Sequence, residues 1–197
     1  MSAVPETTAA TEDPLVDWQR LEALLSGTGP RRATHAALAD LFARGRIPRP
    51  TAGVYHGLLL TTLGPPVDVP LRGLMRMWTP WWGKRLHPDR AAGVNLFPRP
   101  NHLLYRLLMP SQSFERDGEL MRGVHFRLAT QAAAFGEDQT VGVIDYGAVP
   151  TNPGFVKRVR YEYVQVAPDA YLGRMLFRTK RTLRMTGYFT LRGPLRD

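Results

Sequence analysis

Gly53-Val54-Tyr55-His56-Gly57-Leu58-Leu59-Leu60 and Trp78-Thr79-Pro80-Trp81-Trp82-Gly83-Lys84-Arg85 decide the fold. The first is a short apolar run entered through Pro48 and Pro50, with the composition of the first strand of a sheet. Gly53 and Gly57 mark points where backbone passes close to other backbone. The second gathers three of the four tryptophans into five residues and ends in two cations. Together they describe a β-rich body with an aromatic-lined interior.

The pattern extends toward the C-terminus. Trp81–Leu86 and Val94–Phe97 read as strands flanking a His87-Pro88-Asp89 turn, and His102–Met109 fits strand or helix equally by length. Gly123–Thr130, Thr140–Tyr146, Lys157–Val166, Tyr171–Phe177 and Arg184–Leu191 follow as strands. In the third of these, Val159, Tyr161 and Tyr163 alternate with Arg158, Arg160 and Glu162, so the two sets face opposite sides. Between the first strand and the tryptophans, Gly64-Pro65-Pro66 breaks the chain, and a short helix is expected from Leu71 to about Trp78, ended by Pro80.

Before residue 50 the periodicity is helical. Residues 1–12 read as a disordered tail. Asp13-Pro14 opens one helix, with Asp13 as N-cap, and Gly27-Thr28-Gly29-Pro30 stops it. A second runs from about Arg31 or Thr34 to Arg44, with Gly45 at its C-cap. This pair, residues 13–46, is expected to cover a barrel mouth. Helices confined to the N-terminal half and strands at regular intervals afterwards give a mainly β fold with minor α: an antiparallel barrel over residues 47–197.

The 197 residues suit one domain with a sizeable core. There is no cysteine, which removes disulfides, thiol nucleophiles and cysteine-ligated metals and suits a reducing cytoplasm. The first residues lack the basic and apolar regions of a secretory signal, and arginines interrupt every run that approaches membrane-spanning length. The expectation is a cytoplasmic protein. The net charge is +9, and residues 1–30 are acidic, so the body carries more than the whole excess. Such a charge steers anions.

In order and spacing the elements resemble a bacterial lipocalin-like family of unknown function with a GxWxG signature. Gly53-Val54-Tyr55-His56-Gly57 matches it with tyrosine in place of tryptophan, and Trp81-Trp82-Gly83-Lys84-Arg85 resembles its Trp/Tyr-Gly-Lys-Arg segment. Val143-Ile144-Asp145-Tyr146, Tyr171-Leu172-Gly173-Arg174-Met175 and Phe189-Thr190-Leu191 resemble strands of its C-terminal companion domain. The resemblance covers roughly residues 40–192. It implies a lipocalin-like barrel able to enclose a small apolar molecule and supplies no catalytic residues.

Candidate site residues are therefore read from position and chemistry. Tyr55, by analogy with the family tryptophan, points inward and His56 outward. Asp145 and Tyr146 end an apolar strand, where a carboxylate can serve as acid, base or orienting acceptor; the competing reading is a turn aspartate bonding the backbone that follows. Trp78, Trp81 and Trp82 form a stacking wall or plain core. Asn95, His125, Tyr161, Tyr163, Arg160 and Arg174 complete the candidate ligand set. A lumen-facing arginine needs an anionic partner, from a ligand, Glu162 or Asp145. The five histidines show no metal-ligand spacing, and no phosphate-binding loop or nucleophile elbow occurs, so neither metal nor cofactor is expected.

The first functional expectation is binding of a hydrophobic small molecule, lipid-, terpenoid- or polyketide-like, inside the barrel, with an apolar or acidic ligand as partner and a homodimer left open. The second is a cofactor-free cyclase, isomerase or lyase acting in the same cavity on a polyketide- or polyene-like substrate. The third is an anionic surface or nucleic acid bound by the basic C-terminal strands, with Tyr161, Tyr163, Tyr171 and Tyr188 stacking bases. It ranks last because no nucleic-acid-binding motif accompanies those strands.

Overall fold

A computed structural model describes residues 31–62, 81–135 and 138–195. The readings for residues 1–30, for the inserted helix and for Trp78 lie outside the described residues. In chain order the elements are α1 (Arg31–Arg44), β1 (Gly53–Thr62), β2 (Gly83–His87), β3 (Ala92–Pro98), α2 (His102–Leu108), β4 (Glu115–Asp117), β5 (Leu120–Ala132), β6 (Thr140–Asp145), β7 (Val159–Ala167), β8 (Ala170–Arg178) and β9 (Leu183–Arg192). The strand order is β3-β2-β1-β9-β8-β7-β6-β5, and β3 pairs with β5 to close the ring. Every pairing is antiparallel, so this is a closed eight-stranded up-and-down barrel, with β4 added beside the start of β5. Among the described residues no helix is long and apolar enough to cross a membrane.

Alternation gives each strand an inner and an outer face. In β7, Val159, Tyr161 and Tyr163 join the inner cluster, whereas Val164 and Val166 join the outer one. The outer positions of β6 to β9 are themselves apolar, and a bare strip of this kind needs cover. Helix α1 supplies it: Leu38, Leu41 and Phe42 pack on Val141, Val143, Val164, Val166, Leu172 and Tyr188. This corrects the expected placement, since α1 lies on the outer wall and not over the mouth. Its exit is stitched to β7 by reciprocal Arg46–Gln165 backbone hydrogen bonds of 2.9 Å each.

The ambiguous His102–Met109 segment is the helix α2. Pro98 and Pro100 remove the donors a continuing strand would need. Tyr105 and Met109, four residues apart and so on one face, reach the inner cluster. The Tyr105 ring lies 4.7 Å from that of Phe97 and 5.6 Å from that of Phe114. Burial pushes the Tyr105 hydroxyl up to about 12, against a hydrogen bond with Asn101.

Beneath α1, the Arg174 guanidinium lies against the rings of Phe42 and Phe135 and pairs with the fully buried Glu162, Nη2 to Oε2 at 2.7 Å and Nε to Oε2 at 2.9 Å. Arg160 reaches the second Glu162 oxygen at 3.4 Å. Removing one member of a buried pair strands the other charge, whereas replacing both with apolar groups does not. Glu162→Ala is therefore expected to lower unfolding stability by about 3–5 kcal/mol in urea titration, and Glu162→Leu combined with Arg174→Met to cost far less. Equal losses in the two variants would rule out the charge argument.

Candidate functional site

Lys84 is the second residue of β2, directly opposite Asn95 on β3 and Tyr55 on β1. Both Lys84 and Asn95 are completely buried. The Lys84 ammonium nitrogen donates to Asn95 Oδ1 at 2.5 Å and to the Tyr146 hydroxyl at 2.6 Å, and that hydroxyl donates in turn to Asn95 Oδ1 at 3.0 Å. Rings of Trp81, Phe126, Tyr146 and Tyr161 surround the nitrogen, with centroids at 4.8, 4.9, 5.2 and 4.9 Å. No carboxylate among the described residues forms an ion pair with it. Asn95 Nδ2 is buried and has no hydrogen-bond partner among them.

Local sequence explains this arrangement. Trp81 folds inward because Gly57 leaves room: a Cβ there would lie 2.1 Å from the indole ring. The ring is pinned by Nε1 donating to the Gly83 carbonyl at 2.5 Å. The close approach at Gly57 is thus of side chain to backbone, not of backbone to backbone. Asn95 stands where the β3–β5 register shifts, opposite Gly123 and beside Val124, whose φ is +58°. A β-branched residue rarely adopts this left-handed conformation, and holding it there costs on the order of 1–3 kcal/mol. Bulges of this kind re-aim side chains near functional sites.

Burial pushes the Lys84 amine well below its ordinary value of 10.5, because desolvation penalises the charged form. It pushes the Tyr146 hydroxyl well above 10.0, with neighbouring Tyr161 adding to the effect, so Tyr146 stays a proton donor. Tyr163 and Tyr171 are raised the same way, by burial first and Tyr55 second.

The structure brings together Tyr146, Trp81, Asn95 and Tyr161 around Lys84. Tyr163 is inside but belongs to a second ring group with Tyr55 and Tyr171. Tyr55 points inward, yet its hydroxyl is taken by the backbone of Thr51, donating to the carbonyl at 3.0 Å and accepting from the amide at 3.1 Å, which is a structural role. Asp145 is the turn aspartate: its Oδ1 accepts from the amides of Gly147 at 2.7 Å and Ala148 at 3.3 Å. Trp82 turns outward against His56, His125 is exposed, and Arg160 and Arg174 hold Glu162 on the outer wall. None of these last four lines the interior.

Sequence reasoning passed over Lys84 itself. Two signals pointed to it. Only three of the 26 basic residues are lysines, and this one shares a strand face with Leu86 next to three tryptophans.

The fold and the site define a closed antiparallel barrel with a desolvated lysine held in an aromatic cage. No protein-family model matches the chain, and no curated protein matches it in sequence. In structure the chain is similar to a protein from Thermomonospora curvata, with a TM-score of 0.50 and 18% identity over 90% of this chain and 97% of that one. At that identity the likeness speaks for the barrel fold alone.

A depressed lysine has a signed consequence for stability. Below its native value both folded and unfolded chains are protonated, and the native state bears the full cost of a buried charge. Between that value and 10.5 only the unfolded state holds the proton, so stability rises with pH. Lys84→Met lacks this behaviour. It is expected to be more stable than the natural chain in urea at neutral pH, by about 1–4 kcal/mol, with the margin shrinking as pH rises toward 10.5. A constant or reversed margin would mean that the amine is not destabilised by burial.

Proposed function

We propose that the barrel binds a hydrophobic small molecule, lipid-, terpenoid- or polyketide-like, bearing an acceptor oxygen that Lys84 and Asn95 hold. One observation carries this reading: a fully buried amine with no ion-pair partner among the described residues stands beside an amide donor with no partner among them. A plain core would gain by carrying methionine at position 84, since a buried charge and an orphaned donor each cost free energy. An oxygen placed between them supplies the missing acceptor, and the surrounding rings suit an apolar body. The resemblance of Gly53–Gly57 and Trp81–Arg85 to the lipocalin-like GxWxG family favours the same reading.

A cofactor-free enzyme is the second reading, favoured by one contact. Lys84 and Tyr146 stand 2.6 Å apart with their proton affinities pushed apart by burial, the amine's down and the phenol's up, a base and an acid side by side at one carbonyl-sized position. Base stacking on a surface has little support, because Tyr161, Tyr163, Tyr171 and Tyr188 are all buried.

Native mass spectrometry of freshly purified protein is expected to show co-purifying lipophilic material. Oleate or a polycyclic ketone is expected to raise the melting temperature. Lys84→Met and Asn95→Leu are expected to weaken binding of either probe by about tenfold or more, which is 1.4 kcal/mol, with the fold intact by circular dichroism. Undiminished binding by both variants would remove Lys84 and Asn95 from the reading. No binding by the natural chain would leave an aromatic core only.

A further inference from the structure

We infer that Lys84 condenses with a carbonyl group, so that an aldehyde or ketone ligand is held in the barrel as an imine. The inference rests on the binding reading above and adds a covalent step to it. Its ground is the set of groups that meet at one nitrogen. Among the described residues the amine has no ion-pair partner to keep it charged, and four ring faces wall it off at 4.8–5.2 Å. The Tyr146 hydroxyl stands 2.6 Å away, and the Asn95 Nδ2 donor is free to hold a carbonyl oxygen beside the nitrogen. A desolvated lysine is a nucleophile in a way that a solvated ammonium is not.

The step balances within these groups. The Nζ lone pair attacks the carbonyl carbon and forms the C–N bond. The carbonyl oxygen takes a proton from the Tyr146 hydroxyl, which is replenished by the proton that the new ammonium sheds. The resulting carbinolamine loses its hydroxyl, protonated again through Tyr146, as water while the nitrogen lone pair closes the C=N bond, and the iminium N–H then returns its proton to the Tyr146 oxygen. One amine and one carbonyl give one imine and one water, with no change of oxidation state. If the imine is protonated, the ring faces that now surround the ammonium lie against the iminium cation.

The other two lysines make the test selective. Lys157 and Lys180 are exposed, so neither is desolvated as the Lys84 amine is, and each is expected to react more slowly. The full chain is incubated separately with cinnamaldehyde and all-trans-retinal at neutral pH, with cyanoborohydride present, and digested for peptide mapping. The expected result is a mass increase equal to the aldehyde less one oxygen atom, at Lys84, in about tenfold excess over Lys157, Lys180 and the α-amino terminus. Retinal without the reductant is expected to shift its absorption to shorter wavelength as the neutral imine forms and to longer wavelength on acidification, and Lys84→Arg to lose the adduct and both shifts. Tyr146→Phe is expected to slow adduct formation at saturating retinal. Retinal binding by thermal shift with no adduct at Lys84 would overturn the imine and leave the binding reading standing. Neither binding nor adduct would overturn both.

Discussion

Closure of the sheet between β3 and β5 is the constraint on which the rest of the molecule depends. Once the ladder is continuous, each strand has an inside and an outside, and a side chain's environment follows from its parity. Lys84 and Arg85 show how much hangs on this. Lys84 faces in and meets Asn95 and Tyr146; Arg85 faces out and pairs with Asp117 at 3.0 Å while remaining partly exposed. A slip of one residue would exchange the two cations. The guanidinium, which cannot lose its charge, would then sit in the interior without a carboxylate. The Val124 bulge belongs to the same account. It shifts the β3–β5 register next to Asn95, and the strain of a β-branched residue at positive φ is held by the surrounding ladder.

Inside the ring, glycines and aromatics are complementary. Trp81 lies over Gly57 and Phe189 over Gly173, where a Cβ would stand 2.1 Å from each ring. Flat rings against bare backbone bring π faces close to one another, and Tyr161 bridges Phe189 at 4.9 Å and Tyr146 at 5.4 Å. The same faces meet the Lys84 nitrogen. Each desolvated cation–π contact contributes up to about 2 kcal/mol, whereas burying an ammonium costs several kcal/mol even after relaxation. The cage and its two oxygen acceptors offset part of that penalty. They supply no negative charge, so the amine's proton affinity remains well below its ordinary value.

Much of this was legible in the chain because parity is legible. The β6 to β9 strands fall close to where alternation placed them, and the inward set Val159, Tyr161 and Tyr163 follows from a period of two. What failed depended on contacts between distant segments. The helix at 31–44 reads as a lid because it is amphipathic; its true seat depends on β6 to β9 also being apolar outside, visible only when their outer faces are placed side by side. Arg174 reads as either a lumen charge or a surface charge, and it is neither, because α1 and Phe135 bury it against Glu162. The binding candidates Tyr146, Trp81, Asn95 and Tyr161 were visible as polar or aromatic residues within strands. Their convergence on Lys84 joins β2, β3, β6 and β7, a relation that one-dimensional spacing does not encode.

The identity of the residue at 84 carries its own argument. The chain has 26 basic residues, three of them lysines, so arginine is its ordinary choice of cation. Arginine at 84 would bring five donors and a permanent charge to a place with two acceptor oxygens. Methionine would fill a comparable volume with no charge to desolvate. Lysine differs from both in one property: burial pushes its proton affinity down, toward the neutral amine whose nitrogen has a lone pair. A scaffold that closes eight strands, strains a valine and encloses four rings around that atom is built to keep water away from it while leaving its chemistry intact.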